Sequence, residues 1–352
     1  MSNEQLLEKM YNQSKISKDT LNHLMNGVKS TSSLENGCDE KDAGLRVTVI
    51  IPTHNRKERL KRCINSILSQ NYSNIEIIVV DDNSSDETHR ITEEVNYKDI
   101  VYLRNNKSLG AGGSRRKGYE HSTGDIIIFC DDDDYYVDMD YFKKANSRFQ
   151  ANDELVMLCS NSLIMLSEFN KYEARDIRLE DLVSTKNYLN EFGISYDKPN
   201  STFTLALRKK HLDKIEYKNL VLFNDTSIYL YALLAKGQVG YLREYIGVYE
   251  IHGNNMSTSM NTEFLLENLN SKKDIYEKAK KEGLLVRPQQ WLFNQINITV
   301  MYLIYGSKPK IKEITKVANW VLKNMQGKYM IIQWMKIYYA YLKVTLKAKI
   351  KS

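Results

Sequence analysis

The fold is decided by residues 47–85, which read VTVIIPTHNRKERLKRCINSILSQNYSNIEIIVVDDNSS. The apolar, β-branched run at 46–52 predicts a buried strand, and a similar run at 75–84 predicts a second one. Between them, residues 58–70 place apolar side chains at helical spacing. A buried strand, a helix and another buried strand in succession are typical of a parallel sheet that helices cover on both faces.

The same alternation continues on the C-terminal side of this stretch. Residues 100–105 predict a third strand, a glycine-rich turn leads into another helix, and residues 125–130 predict a fourth strand. We therefore predict an α/β fold built on a mostly parallel sheet. Beyond it we predict strands at 155–166, 201–209 and 238–251, a helix at 225–236, and mainly helices from about 262 onward.

The composition is that of an ordinary globular protein. Of 352 residues, 42% are hydrophobic and 27% charged, which leaves enough apolar surface for a sizeable core. The four cysteines form no C-x-x-C pair, so we expect neither a disulfide framework nor a cysteine zinc site. We expect the protein to reside in a reducing compartment. The first ten residues do not read as a secretory signal, and no uncharged apolar run predicts a membrane span.

The charge is concentrated at the C-terminal end. Residues 307–352 contain eleven lysines and a single acid, Glu313, so this stretch carries +10 and the rest of the chain −4 of the net +6. Its aromatic residues and lysines suit an amphipathic helix on an anionic membrane surface. The alternative is a helix that packs its aromatic stripe on its own domain. No nucleic-acid motif accompanies the charge, so we expect no nucleic-acid partner.

Polar clusters follow three of the predicted strands directly. They are His54 to Arg56, Asp81 to Asn83, and the four aspartates at 131–134. In parallel sheets ligands bind at the carboxyl ends of the strands, so three clusters at one edge predict an enzyme site.

Four consecutive aspartates repel one another unless a cation joins them. A hard divalent ion with oxygen ligands, Mg²⁺ or Mn²⁺, is the usual partner, and it can neutralise a leaving phosphate. The alternative is a solvated acidic turn that caps the next helix.

The segment GAGGSRRKG at 110–118 is the other phosphate-binding candidate. It is not a dinucleotide motif, because Arg115 stands where G-x-G-x-x-G needs its third glycine. Backbone amides and Arg115 at a helix start nevertheless suit a diphosphate. Surface charge on an exposed helix is the alternative, which we favour for Lys117.

The three polar clusters and the glycine-rich segment resemble the motifs of the family 2 glycosyltransferases with a GT-A fold. Their order, spacing and placement after strands all agree with that family, in its bacterial cell-surface polysaccharide or teichoic-acid type. The resemblance covers about residues 46–150 and continues more weakly to about 260. It implies a glycosyltransferase domain at 45–260, with a nucleotide-binding half at 45–150 and an acceptor half at 151–260. Residues 1–44 are then a short helical extension and linker, and 261–352 a helical basic region.

The resemblance also implies where the donor binds. Pro52, Thr53 and His54 would line the uracil of a UDP-sugar, and Asp82 would bond the polar edge of the base. The family has an Asn followed nine residues later by an Arg, and both reach the nucleotide.

Asn106 and Arg115 match that spacing. Asp131, Asp132 and Asp133 correspond to the family's D-x-D triplet. Its last acid, Asp133, is the expected ligand of Mn²⁺ or Mg²⁺. Asp131 and Asp132 are then expected at the ribose or in the metal shell.

In the second half, the resemblance makes Asp225 the catalytic base and brings His252 to the metal or diphosphate. From the residues alone, Asp225 also suits a helix N-cap and His252 a structural role. Three positions depart from the family pattern: Asn224 replaces a Glu, Arg116 an Asn and Glu250 an Arg.

The resemblance therefore implies a metal-dependent, inverting transfer from a UDP-sugar to a hydroxyl of a cell-surface glycan or lipid-linked acceptor. We expect the protein in the cytoplasm, peripheral to the inner face of the cell membrane. Two alternatives stay open: a sugar-nucleotide or glycan-binding protein that has lost catalysis, and a sugar-1-phosphate nucleotidyltransferase. The second needs a glycine-rich loop after the first strand, which PTHNRKERL lacks.

Overall fold

A computed structural model describes residues 3–12, 16, 18, 20–21, 44–95, 97–252, 262–305 and 311–351. The chain forms two compact units, Met1–Gly253 and Asn254–Ser352. Residues 22–43, which belong to the extension and linker predicted at 1–44, lie outside the described residues.

The first half of unit 1 alternates strands and helices, as the apolar runs predict. Val47 to Thr53 and Ile75 to Asp81 are buried along their whole lengths, which places both strands inside the sheet. The elements are β1 (Val47–Thr53), α2 (Lys57–Leu68), β2 (Ile75–Asp81), α3 (Ile91–Val95), β3 (Ile100–Arg104), α4 (Gly110–His121) and β4 (Ile126–Phe129). They follow the N-terminal helix α1 (Asn3–Asn12).

The helix that follows β2 is short. Asp86 accepts a hydrogen bond from Thr88 N at 3.1 Å and starts a 3₁₀ turn, Glu87–Arg90, which only then continues into α3. This hydrogen bond between a side chain and the nearby backbone favours the 3₁₀ turn, so the α-helix begins only at Ile91.

The second half of unit 1 completes the sheet. The predicted strands at 155–166 and 238–251 are confirmed with those bounds, whereas the strand predicted at 201–209 begins only at Leu205. The elements are β5 (Tyr135–Tyr136), α5 (Tyr141–Ala151), β6 (Leu155–Leu166), β7 (Lys171–Arg175), β8 (Leu182–Ser184), α6 (Thr185–Glu191), β9 (Leu205–Arg208), α7 (Lys209–Lys214), α8 (Asp225–Ala232) and β10 (Gln238–Ile251).

The strands form one mixed sheet in the order β3-β2-β1-β4-β9-β6-β10-β5. The first four are parallel, β9 runs antiparallel to both neighbours, and β6 and β10 are again parallel. Helix α4 lies so close to the sheet that a Cβ at Gly118 would stand 2.3 Å from Ile50 Cγ2. The predicted mostly parallel α/β architecture is confirmed.

The N-terminal helix α1 belongs to unit 1. Leu7 and Met10 are buried and pack, with Ile16, on Tyr135, Val137, Leu163, Tyr245 and Val248. This segment therefore contributes a small apolar cluster beside β5, β6 and β10.

Unit 2 is helical, as predicted. Its helices are α9 (Thr262–Lys281), α10 (Pro288–Tyr305), α11 (Ile311–Asn324) and α12 (Gly327–Lys351). Lys272 on α9 is buried and donates to Gln295 O at 3.0 Å and Thr299 Oγ1 at 2.7 Å on α10. Within the described residues, no helix has both the length and the apolar character that crossing a membrane requires.

Candidate active site

The carboxyl ends of β1, β2 and β4 meet at one edge of the sheet. Thr53 Oγ1 donates to Asp132 Oδ2 at 2.8 Å, which ties the end of β1 to the segment after β4. The His54 Nδ1 atom lies 2.9 Å from the Asp82 carbonyl oxygen after β2. The three polar clusters of the sequence therefore do come together.

Asp82 organises the start of α4. Its carboxylate accepts from Asn105 Nδ2 at 2.8 Å, Ser108 Oγ at 2.6 Å, Leu109 N at 2.7 Å and Gly110 N at 2.9 Å. Gly110 has a φ of 70°, the left-handed region that glycine favours. Burial alone would raise the pKa of Asp82, but these bonds outweigh it and hold the pKa below its ordinary value. The carboxylate is thus ionised.

Asn105, not its neighbour, is the asparagine that the structure buries. Its side chain donates to Asp82, and also to Ser114 Oγ at 3.0 Å, whereas Asn106 is exposed. The expected nucleotide contact of Asn106 remains a prediction. The spacing to Arg115 selects Asn106, but it does not show which of the two adjacent asparagines is buried.

Two arginines neutralise the aspartate triplet. Arg115, itself buried, donates through Nη2 to Asp131 Oδ1 at 2.5 Å. Arg56 Nη1 lies 3.0 Å from Asp132 Oδ1 and 2.9 Å from Asp133 Oδ2. Burial, partly offset by the Arg56 charge, raises the pKa of Asp132 to about 6.

His252 reaches the same carboxylate as Arg56. Its Nε2 atom lies 3.0 Å from Asp133 Oδ2, and the Arg59 guanidinium also contacts the ring. Glu250, the departure from the family pattern, forms an ion pair with Arg62 at 2.5 Å. Arg62 also donates to the Asp133 carbonyl oxygen at 2.7 Å, so this departure supports the loop that carries the triplet.

Asp225 is the first residue of α8, and the N-cap role falls to Asn224. Asn224 Oδ1 accepts from Ser227 N at 2.9 Å, so the interpretation of Asp225 as the cap is wrong. The Asp225 carboxylate instead lies 3.2 Å from Arg115 Nη1, with 47% of its side-chain surface exposed. The surrounding protein displaces enough water to raise its pKa, and the Arg115 charge opposes this rise.

The remaining basic residues of α4 are structural. Arg116 Nη2 donates to the Val221 carbonyl at 3.0 Å and also contacts the Leu220 carbonyl, which fixes the loop before α8. Lys117 donates to Arg104 O at 2.8 Å and to Asn105 Oδ1 at 3.0 Å. Arg104 ends β3 and Asn105 follows it directly, so Lys117 has a structural role.

Sequence reasoning gave no individual role to Arg56 or Tyr229. Arg56 stood in the polar cluster after β1, which was a usable signal. Tyr229 lies one turn after Asp225 on α8 and is 1% exposed. Its hydroxyl has no hydrogen-bond partner among the described residues, and a buried tyrosine within an apolar run gives no sequence signal of this.

The donor atoms fit a divalent cation, although they are not gathered around one point. Within the described ranges no three His, Cys, Asp or Glu side chains form a ready metal group, because Asp131 faces Arg115 while Asp133 and His252 lie together. The carboxylate oxygens of the triplet nevertheless suit Mn²⁺ or Mg²⁺, whereas the His252 nitrogen is a less typical ligand for these ions.

Comparison with known proteins agrees with this geometry. Residues 48–215 match the family model described as Glycosyl transferase family 2, so the chain carries a domain of that family. The structure of S. aureus TarS 1-349 in complex with UDP-GlcNAc is similar over 85% of this chain and 88% of that chain, with a TM-score of 0.64 and 17% identity. At that identity the likeness concerns the fold, and the predicted GT-A fold is confirmed.

The curated relatives are similar over shorter stretches. The UDP-Glc:alpha-D-GlcNAc-diphosphoundecaprenol beta-1,3-glucosyltransferase WfaP of Escherichia coli is 40% identical over 91 residues, 26% of this chain and 36% of that protein. The GalNAc(5)-diNAcBac-PP-undecaprenol beta-1,3-glucosyltransferase of Campylobacter jejuni is 37% identical over 92 residues, 25% of this chain and 30% of its own length. The chain thus spans about a third of the length of these two relatives.

Proposed function

We propose that this protein is an inverting glycosyltransferase that moves a sugar from a UDP-sugar to a hydroxyl of a lipid-linked glycan. The observation that carries the proposal is the ion pair between Asp225 and Arg115, 3.2 Å apart. It sets a partly exposed carboxylate beside a buried guanidinium that also holds the aspartate triplet. A base and an anion-binding group are the two parts that such a transfer needs.

The donor nucleotide binds at the strand ends. Pro52, Thr53 and His54 line the base, Asp82 keeps the start of α4 in place, and Asn106 reaches the nucleotide from its exposed position. The Nε atom of Arg115 supports a diphosphate here, because it is buried and makes no hydrogen bond in the described part of the chain. A diphosphate oxygen offers it an acceptor.

Asp225 removes the proton from the attacking hydroxyl. That oxygen forms a bond to the anomeric carbon as the bond to the UDP oxygen breaks, so UDP leaves with the electron pair. A single displacement from the opposite face inverts the anomeric configuration. Arg115 stabilises the charge on the departing diphosphate.

Mn²⁺ or Mg²⁺ is the proposed cofactor. Asp133 and His252 would hold it, with Asp131 and Asp132 in the surrounding shell. When bound, the ion would neutralise charge on the leaving diphosphate.

The acceptor class follows from the relatives. The names of the E. coli and C. jejuni relatives specify undecaprenol-linked acceptors, so we propose a polyprenol-linked glycan of cell-surface polysaccharide synthesis. Such carriers reside in a membrane, which supports a reaction at a membrane surface, and we propose its cytoplasmic face.

A UDP-release screen tests the proposal. Several UDP-sugars are offered with Mn²⁺ and a synthetic polyprenyl-diphosphate glycan, using the full chain and Asp225→Ala. We expect acceptor-dependent UDP release from one donor, lost in the variant while calorimetry shows a donor affinity that is not reduced. No release with any donor, or an equal loss of donor binding in the variant, would contradict it.

A further inference from the structure

The outer face of α12 is a row of large apolar and aromatic side chains that face solvent. Met335 is 60% exposed and Tyr339 65% exposed, whereas Gln333 and Ile337, on the other side of the helix, are buried. The exposed residues are Ile331, Ile332, Trp334, Met335, Tyr338, Tyr339 and Leu342. We call them the α12 face.

The α12 face is continuous along the helix. Residues 331, 335, 338 and 342 are spaced by three or four, so they lie above one another on a single side. The rings of Trp334 and Tyr338 stack with centroids 5.2 Å apart and nearly parallel planes, 6° between them. The row therefore spans about three turns.

The opposite side of α12 is fixed within unit 2. Lys336 Nζ donates to Asn297 Oδ1 on α10 at 2.9 Å, and Tyr329 packs on the Phe293 ring with centroids 5.3 Å apart. The alternative from the sequence, in which the helix packs its aromatic stripe on its own domain, is thus wrong for the α12 face. Monomers rarely leave such a patch uncovered unless it binds something.

The charge of α12 indicates which partner binds the α12 face. Residues 327–351 contain six lysines and no acid. Two copies meeting through this face would bring their lysines together with no acid of α12 to offset them. An anionic bilayer instead accepts apolar side chains below its headgroups and lysines at them, and Trp and Tyr rings favour that boundary.

We infer that the α12 face docks the protein on an anionic membrane surface, with α12 lying in the plane of the headgroups. The inference concerns residues of unit 2, whereas the candidate active site is built from residues of unit 1. Membrane binding is measured without any sugar donor, so a failure of this inference can be distinguished from a failure of the proposed function.

Vesicle flotation of the full chain tests this. The vesicles are phosphatidylcholine with or without about one third phosphatidylglycerol. We expect at least about tenfold greater binding to the anionic vesicles, from about 1 kcal/mol per lysine near such a surface, and a decrease at high salt.

The variant M335S/Y339S removes the two most exposed side chains of the face and leaves every charge in place. It should lose most of the vesicle binding. F169S/I194S, which removes two exposed apolar residues of unit 1, is the matched control and should bind like the parent. Circular dichroism verifies that both variants fold.

Three results would overturn the inference. The first is absence of binding to anionic vesicles, and the second is equal binding to zwitterionic vesicles. The third is a dimer, detected by light scattering without vesicles, that M335S/Y339S dissociates while vesicle binding stays unchanged.

Discussion

Arg56 bridges two carboxylates of the aspartate triplet, with its Nη1 atom 2.9 Å from Asp133 Oδ2 and 3.0 Å from Asp132 Oδ1. His252 Nε2 lies 3.0 Å from that same Asp133 oxygen. The Arg56 guanidinium therefore forms an ion pair with Asp133, the carboxylate that the family pattern assigns to the metal. A divalent ion bound through this oxygen of Asp133 would compete with the Arg56 contact.

Arg56→Gln should therefore strengthen metal binding. Removing the competing cation leaves Asp133 free for Mn²⁺, and we expect about tenfold tighter binding, equivalent to about 1.4 kcal/mol for a partly buried ion pair. Calorimetric titration of Mn²⁺ without nucleotide measures this. Arg178→Gln, which breaks an exposed ion pair with Asp197, makes the same charge change elsewhere. Unchanged or weaker Mn²⁺ binding in Arg56→Gln would show that the arginine does not compete.

Lys198→Gln should move the acid limb of the pH–rate profile. The Lys198 charge lowers the pKa of Asp225, although burial keeps that pKa above its ordinary value. Loss of the charge raises the pKa, and the base must be deprotonated to act, so kcat/KM should fall at a higher pH than in the parent. The shift should vanish at high salt, since Lys198 is exposed.

Lys186→Gln, also exposed, is the charge-matched control and should leave the limb in place. An acid limb that stays fixed in Lys198→Gln, or moves to lower pH, would exclude Asp225 as the group that titrates there.

Tyr229→Phe should keep or raise stability. The Tyr229 hydroxyl is buried without a hydrogen-bond partner in the part of the chain that the structure describes, so its removal loses no bond and relieves a desolvation cost. We expect an unchanged or higher Tm without nucleotide. Tyr217→Phe is the matched variant, because that hydroxyl donates to Ile228 O at 3.0 Å. It should lose about 1 kcal/mol. An equal loss in Tyr229→Phe would reveal a partner for its hydroxyl.

Glu76→Gln should reduce stability in a pH-dependent way. The buried Glu76 carboxylate accepts from Thr48 Oγ1 at 2.5 Å, Thr123 Oγ1 at 2.6 Å and Thr123 N at 2.9 Å. Burial opposes ionisation, but these bonds prevail and lower the pKa of Glu76. A lowered pKa stabilises the fold above the unfolded value of about 4.3, and this contribution disappears as pH falls through the folded pKa.

Chemical denaturation of Glu76→Gln at several pH values checks this. We expect a loss of roughly 1–2 kcal/mol at pH 7, shrinking below about pH 4. Glu93→Gln, at an exposed position of α3, should change stability by less than about 0.5 kcal/mol. A Glu76→Gln loss that stays constant down to acid pH would contradict the assignment.

The sequence by itself determined the alternating strands and helices in the first half of unit 1. Residues 47–53 and 75–81 are mostly apolar and rich in β-branched side chains, a pattern typical of strands buried on both faces. Because parallel strands end at a common edge, the polar clusters after β1, β2 and β4 could be assigned to one site. These inferences need only local periodicity and one rule of sheet geometry.

Only the tertiary structure decided which side chains meet at that edge. Arg56 faces Asp133 across 77 residues of chain, and Arg115 faces Asp225 across 110, separations that local patterns do not encode. The same holds for Asn105, which is buried where its neighbour Asn106 is exposed. The exposure of the α12 face likewise depends on which side of the helix packs in unit 2. An amphipathic pattern identifies the apolar side of a helix, but it does not show whether that side is covered.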